Sequence, residues 1–352
     1  MDTYEENLRV ILKQNQFIEQ LSGKTILLTG ATGMIGKCII DLLMQFNDNC
    51  FSEQKIRVIA LSRNSENARR RLDKHWTKDC LHYYSFDVNT GIPECERADY
   101  VIHAASNTHP LQYAQDSIGT IASNIIGTKN LLDYAVCHQA ERFCFVSSVE
   151  IYGENRGNTE RFKEDDLGYI NCNTLRAGYP ESKRVGESLC NAYAQVFQLD
   201  YVIPRLSRIY GPTMLLSDSK AIAQFIKNTV KGKDIVLKSA GTQLYSYTYV
   251  LDAAVGILTV LLKGKSGEAY NVSDRESEVT LRDIAEWLAK NNGRKVIFHK
   301  ADVIEQAGYS AATKALLDIE KIAELGWRPQ THMWDGLQKT VDSLKESLPE
   351  FE

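Results

Sequence analysis

The sequence predicts an α/β fold, a doubly wound parallel sheet joined to a smaller C-terminal α/β part. Three observations carry that expectation. Short apolar runs alternate with helix-period segments from residue 24 to residue 147, the mark of a parallel sheet covered on both faces. The first run ends in the turn Thr29-Gly30-Ala31-Thr32-Gly33-Met34-Ile35-Gly36, which opens a helix. After Ser147 the rhythm breaks into a polar stretch, then into mixed short strands and helices.

From the N-terminus, residues 1–22 read as an amphipathic helical extension with the stripe Leu8, Ile11, Leu12, Ile18 and Leu21. It is expected to pack on the domain of the first strand. Strand 24–29 leads to helix 34–46, and strand 56–61 leads to a charged helix over 65–75. Strand 81–86 follows, then strand 99–104, a helix over 115–138 and strand 142–147. Right-handed crossovers make such a series doubly wound. Residues 153–178, rich in Gly, Asn, Asp and Glu, read as loop. Helix 180–197, strand 200–206, the turn Tyr210-Gly211-Pro212 and helix 219–231 come next. Strands near 234–238 and 243–248, helix 250–262 and strand 268–272 follow. Helix 280–291, strand 295–299 and helices 313–323 and 333–347 finish the chain.

A chain of 352 residues can bury a substantial core. The net charge of −4 gives no polyanion-binding signal, so no nucleic-acid partner is expected. The basic run Arg69-Arg70-Arg71 reads as a solvated helix face. No apolar stretch reaches membrane-spanning length and residues 1–20 do not resemble a signal peptide, so a cytoplasmic protein without membrane association is expected. Eight cysteines without a C-x-x-C pair read as reduced and metal-free. The seven histidines show no metal spacing, and no Ser-His-Asp or Cys-His arrangement is legible. A metal-independent enzyme is expected.

The glycine turn has a chemical reading. A pyrophosphate can rest on backbone N–H groups at a helix N-terminus only where no Cβ intervenes. Gly30, Gly33 and Gly36, between a strand and a helix, therefore point to a dinucleotide in a Rossmann domain, with Thr32, Met34 and Ile35 lining the turn. The second strand ends Ala60-Leu61-Ser62-Arg63-Asn64 and lacks the acid that bonds the ribose hydroxyls of NAD. Ser62 and Arg63 suit a 2′-phosphate, which favours NADP over NAD. The expected division is an extension over 1–22, a dinucleotide-binding domain over 23–178 completed by parts of 179–262, and a substrate-binding part over 179–352 interleaved with it.

Tyr179 and Lys183 are the chain's only Tyr-x-x-x-Lys pair, and i,i+4 residues share a helix face. Pro180 confines Tyr179 to the helix entrance. An ammonium beside a phenol favours phenolate, so Tyr179 is expected to act as an acid and base toward a hydroxyl or carbonyl.

The segments Gly30/Gly33/Gly36, Ser147-Ser148, Glu150-Ile151-Tyr152-Gly153, Tyr179-Pro180-Glu181-Ser182-Lys183-Arg184 and Arg208-Ile209-Tyr210-Gly211-Pro212 resemble the extended short-chain dehydrogenase/reductases. These are the nucleotide-sugar epimerases, dehydratases and decarboxylases. The resemblance runs from Lys24 to Leu325-Gly326-Trp327-Arg328-Pro329. It implies that Ser148 bonds the reacting sugar oxygen, Tyr179 takes its proton, and Lys183 tunes Tyr179 and holds the nicotinamide ribose. It implies transient oxidation at C4 of a nucleotide-diphosphate sugar, with NAD(P) recycled. Pro204 matches the nicotinamide-orienting position, Asp87 and Val88 the adenine contacts, and Ala104, Ala105 and Ser106 the strand end beside pyrophosphate and ribose. Relatives of this kind dimerise through two helices, here 115–138 and 180–197, which implies a homodimer.

Glu150 refines the resemblance. Dehydratases carry an Asp-Glu pair there and decarboxylases the Glu alone; here Val149 precedes Glu150. With Glu164 to Asn171, Arg176 and Asp218 to Ile226, this is most similar to UDP-glucuronate decarboxylases, ahead of 4-epimerases and 4,6-dehydratases. A net keto-sugar reductase and a non-catalytic cofactor-binding protein are the remaining alternatives. Two positions depart from the pattern. Tyr245 stands where the family has an Arg that contacts diphosphate or carboxylate, and Arg208 replaces the Asn of Arg-x-x-Asn. Arg208 is expected to supply the diphosphate charge that Tyr245 cannot, because a guanidinium fork matches phosphate and a phenol does not.

Overall fold

The computed structural model describes residues 3–49, 54–91, 94–106, 108, 116–157, 159–299 and 312–347. Helix α1 (Thr3–Gln14) is followed by a 3-10 turn, Gln16–Leu21, so the extension is a helix and a turn rather than one helix. Strand β1 (Thr25–Thr29) is buried at every position, as an interior parallel strand requires. It feeds α2 (Met34–Asn49), β2 (Arg57–Ser62), α3 (Ser65–Arg71), β3 (Leu81–Ser85) and β4 (Tyr100–His103). Next come α4 (Ser117–Cys137), β5 (Arg142–Phe145), β6 (Ser147–Ser148), α5 (Gly178–Phe197) and β7 (Tyr201–Leu206).

The remainder is β8 (Arg208–Tyr210), α6 (Ala221–Val230), β9 (Ile235–Leu237), β10 (Leu244–Tyr249), α7 (Val250–Lys263) and β11 (Ala269–Val272). It ends with β12 (Asp274–Thr280), α8 (Leu281–Asn291), β13 (Val296–Phe298), β14 (Lys314–Ala315), α9 (Glu320–Glu324) and α10 (Met333–Glu346).

Among the described residues the main sheet runs β3-β2-β1-β4-β5-β7-β11, with β6 beside β7. Every pairing in it is parallel. The order reverses between β1 and β4, and the crevice above their carboxyl ends is where ligands bind in such sheets. A second sheet, β12-β10-β14 with β8 on β10, continues from the carboxyl end of β7 through β8. Helix α7 is buried almost throughout because it lies between α2 and the sheet strands it packs on.

In the second half of the chain, two elements differ most from expectation. Residues 313–323 are not one helix. Lys314 and Ala315 pair with β10, and helix begins only at Glu320, whose N–H bonds the Asp318 carboxylate. The apolar run Ala315-Leu316-Leu317 is spent on sheet contacts, which competes with helix. Strand β12 was not expected, because Asp274-Arg275-Glu276-Ser277-Glu278 lacks apolar alternation; it forms by antiparallel pairing on β10 with a register shift after Ser246.

Helix α1 closes the molecule from outside. Leu8 and Ile11 are buried, the Tyr4 hydroxyl donates to Asp41 of α2 at 2.9 Å, and the Thr3 hydroxyl donates to Glu346 of α10 at 2.7 Å. Burial alone would raise the Asp41 carboxyl, but Lys37 and His75 outweigh it and hold it down at about 2.

Gly36 packs α2 onto the turn: a Cβ there would lie 2.2 Å from the Gly30 carbonyl oxygen. Gly36→Ala is expected to destabilise the chain by about 1–3 kcal/mol in urea unfolding, the usual cost of overpacking. Gly33→Ala, whose added carbon would meet only that oxygen at 3.1 Å, is expected to cost clearly less. Equal costs would show that close packing of this turn is not the constraint.

Candidate active site

The site forms where β1 and β4 part. Gly30 has a φ of +70°, and a Cβ on it would stand 2.7 Å from the Ala104 carbonyl oxygen, so only glycine fits. The Thr29 hydroxyl accepts the Ala105 N–H at 3.1 Å and pairs with the His103 ring at 2.8 Å. Thr32, Gly33, Met34 and Ile35 stay half-exposed at the head of α2, where first-turn N–H groups have no intrahelical acceptor. Such a turn has the open backbone that a pyrophosphate needs, and the residues present fit a nicotinamide dinucleotide.

Around the crevice the other expected contacts take these places. Ser62, half-buried, pairs with the Tyr83 hydroxyl at 3.2 Å, and Arg63 is exposed at the end of β2. Asp87 caps a short turn by accepting the Asn89 N–H at 2.9 Å. Val88 is buried beneath Gly127 of α4, and its carbonyl accepts the Asn130 side-chain amide at 2.7 Å. The Ser106 hydroxyl donates to Asn124 at 2.8 Å, Asn124 donates to Ser182 at 2.9 Å, and Ser182 donates to the Tyr179 carbonyl at 2.9 Å. That relay ties the β4 end to the head of α5. Neither Asn124 nor Ser182 stood out in sequence, since nothing there relates helices fifty-odd residues apart. Pro204 is buried in β7, an interior strand, opposite the gap between the β5 and β6 pairings. Proline there forfeits a ladder bond.

Tyr179 is the second residue of α5 and is buried, joined by a hydrogen bond to the Ser148 hydroxyl. Its phenol is pushed up to about 12, by burial first and then by Glu150, against the Ser148 bond and Arg176. The expected lowering by Lys183 does not occur. The Lys183 ammonium donates instead to the Val146 carbonyl at 2.8 Å and lies 4.7 Å from the Phe145 ring centre. Burial brings this lysine down to about 8, opposed by Glu187. With its ammonium held on a carbonyl and a ring face, Lys183 is not among the groups that shift the phenol.

Glu150 faces two cations. Arg176 donates to one carboxylate oxygen at 2.8 Å and Arg208 to the other at 3.2 Å. Burial would raise this carboxyl, but Arg176 and then Arg208 hold it below the usual range. Arg208 lies 3.5 Å over the Tyr245 ring, and the Tyr245 hydroxyl donates to the Ala312 carbonyl at 2.7 Å. Arg208 and Tyr245, the two departures, thus touch one another. Arg176 lies three residues before Tyr179 in a 3-10 turn, Leu175–Ala177, and its role was missed because the stretch reads as loop in sequence.

The model of the NAD dependent epimerase/dehydratase family matches residues 26–273. The chain belongs to that family. It is 26% identical to UDP-glucuronic acid decarboxylase 1 of Xenopus tropicalis, over 95% of this chain and 75% of that protein. It is 28% identical to UDP-glucuronic acid decarboxylase 6 of Arabidopsis thaliana, over 96% of this chain and 93% of that protein. The dTDP-glucose 4,6-dehydratase DesIV of Streptomyces venezuelae, solved with NAD bound, superposes with a TM-score of 0.80 at 26% identity, covering 93% of this chain and 99% of that one. Its relatives are enzymes that act on nucleotide sugars with a nicotinamide cofactor. Among the described residues no helix is long and apolar enough to cross a membrane.

In this family member His103 is fully buried between Thr29 and Thr128, and burial, with Lys183 nearby, lowers it to about 3. Its folded pKa lies below the unfolded value of about 6.5. Below that value the unfolded chain binds a proton that the folded chain refuses, so stability falls with falling pH. The expected slope is about 1.4 kcal/mol per pH unit between roughly 6 and 4. His103→Gln is expected to flatten it in pH-dependent urea unfolding; parallel curves for the two proteins would contradict the assignment.

Proposed function

We propose that this protein modifies a nucleotide-diphosphate sugar by transient oxidation at C4 and return of the hydride, with UDP-glucuronate-decarboxylase-like chemistry as the leading reaction. Glu150 between Arg176 and Arg208, beside Ser148 and Tyr179, is the observation that carries it. Two guanidiniums share one carboxylate, so the cluster is net positive and favours an anionic sugar over a neutral one. Val149, buried, precedes Glu150, and a dehydratase's acid for a departing hydroxyl is missing there. Tyr245, standing where an Arg would bind carboxylate, favours 4-epimerisation as the second reading.

Gly30, Gly33, Gly36, Thr32, Met34 and Ile35 would hold the pyrophosphate, Asp87 and Val88 the adenine, and Lys183 the nicotinamide ribose. When bound, the cofactor accepts and returns a hydride at the sugar carbon. Ser148 holds the sugar oxygen and Tyr179 moves its proton. Lys183, anchored on Val146, keeps α5 and its tyrosine at the crevice. Glu150 stays ionised and aims Arg176 and Arg208 at the substrate. Ser62 and Arg63 favour NADP, since a guanidinium suits a 2′-phosphate. Ile118 and Ile126 on α4 and Val185 and Val196 on α5 are exposed, which supports a homodimer through these packed helices; a monomer mass by light scattering would refute it.

One experiment tests the reading: incubation with UDP-, dTDP-, GDP- and CDP-sugars, with NAD or NADP, followed by mass spectrometry and NMR. UDP-glucuronate is expected to lose carbon dioxide without net cofactor turnover, with tighter binding of NADP than NAD. Isomerisation without mass change would replace decarboxylation by epimerisation, and loss of water would replace it by dehydration. Tyr179→Phe is expected to lose roughly 10²–10⁴ in kcat, the share of a general acid and base, with unchanged unfolding. A fully active variant would end the proposal.

A further inference from the structure

Arg71 closes α3, and it does not share the solvated face expected for the basic run. Arg69 and Arg70 are exposed, whereas Arg71 is half-buried. Its Nε donates to the Thr32 carbonyl at 3.2 Å, inside the glycine turn. Its Nη2 donates to the Thr213 carbonyl at 2.6 Å and its Nη1 to the Met214 carbonyl at 3.4 Å. Thr213 ties back, its hydroxyl donating to the Met34 carbonyl at 2.8 Å. Thr213 and Met214 are buried and follow Tyr210-Gly211-Pro212, the exit of the strand that pairs with β10 in the second sheet. One side chain therefore stitches the turn at the head of α2 to the segment leaving the other sheet.

We propose that Arg71 is a positioning residue for the dinucleotide: it clasps Thr32–Met34 against Thr213–Met214, so that the phosphate-binding backbone is set before the cofactor arrives. A backbone cradle left loose would have to be ordered on binding, and that ordering opposes affinity. The fork geometry is essential, because a guanidinium spans three carbonyls with separate N–H groups and an ammonium cannot match that plane. A guanidinium also keeps its charge while bonding neutral oxygens, which adds attraction for a pyrophosphate beside Thr32.

The clasp rests on reading residues 30–36 as the cofactor turn, and the experiment separates the two. Full-length wild type, Arg71→Lys and Arg71→Ala, each freed of nucleotide, are titrated with NAD and NADP by calorimetry. Amide exchange at Thr32–Met34 is followed without cofactor. Arg71→Ala is expected to bind dinucleotide roughly tenfold more weakly or worse, the effect of one lost charge-assisted hydrogen bond. Its Thr32–Met34 amides should exchange faster, and the cofactor KM should rise far more than kcat falls. Arg71→Lys, which keeps the stem and the charge, should recover only part of the affinity. Affinity within about twofold of wild type for Arg71→Ala, with unaltered exchange, overturns the clasp. Should Arg71→Ala not fold, Arg71→Lys decides by the same criterion. A wild-type protein that binds neither dinucleotide refutes the reading of the turn itself, and the clasp with it.

Discussion

The departure of β4 from the sheet at Ala104 is the constraint on which the site depends. In a continued parallel ladder, register places Ala104 opposite Val146, and the Ala105 N–H would be given to the Val146 carbonyl. Ala105 instead bonds the Thr29 hydroxyl, and the Val146 carbonyl is taken by the buried Lys183 ammonium. Both groups would otherwise be buried without partners, at about 1–3 kcal/mol each. Gly30 accommodates the displaced Ala104 carbonyl because it carries no Cβ. Three residues that read separately as turn, strand end and helix face are thus answers to one opening in the ladder. With Lys183 pinned there and Gly186 lying on the Phe145 ring, α5 has one seat on the sheet, and that seat carries Tyr179 to Ser148.

The sequence made the sheet legible wherever burial on both faces leaves a run of apolar residues. Thr25-Ile26-Leu27-Leu28 could hardly be anything else between a turn and a glycine corner. It did not reveal β12, whose polar residues are ordered by pairing on β10 rather than by a hydrophobic face. Nor did it reveal the change at 314–317, where an apolar run has the length of a strand and the composition of a helix. The tyrosine and lysine were legible from spacing, and their proximity to Ser148 followed. Their electrostatic relation was not, since i,i+4 spacing fixes the backbone positions but not which acceptor a long ammonium finds.

The two departures at Tyr245 and Arg208 have a joint physical reading. Where the resemblance led one to expect a guanidinium there is a phenol, and where it led one to expect an amide there is a guanidinium, in contact with that phenol. Arg208 rests flat on the Tyr245 ring, an arrangement favourable for a delocalised cation and a π face. Read singly, each looks like a loss of family pattern. Together they leave one guanidinium beside Glu150, on β8 where the resemblance led one to expect it on β10. Sequence spacing of nearly forty residues hides such an exchange, and only pairing of β8 with β10 makes it visible.

Several local rules are broken within this one region: a proline in an interior strand, a lysine in the core, and a half-buried glutamate between two arginines. Each opposes stability, so each persists only because neighbours over-determine it. Glu150 illustrates the consequence. Burial alone would raise its carboxyl; Arg176 and Arg208 hold it below the usual range, and its charge in turn pushes Tyr179 up. Burial and the Glu150 charge therefore both favour the protonated phenol. A cation placed beside the phenol favours release of that proton, and Arg208, by offsetting part of the Glu150 charge, works in the same direction.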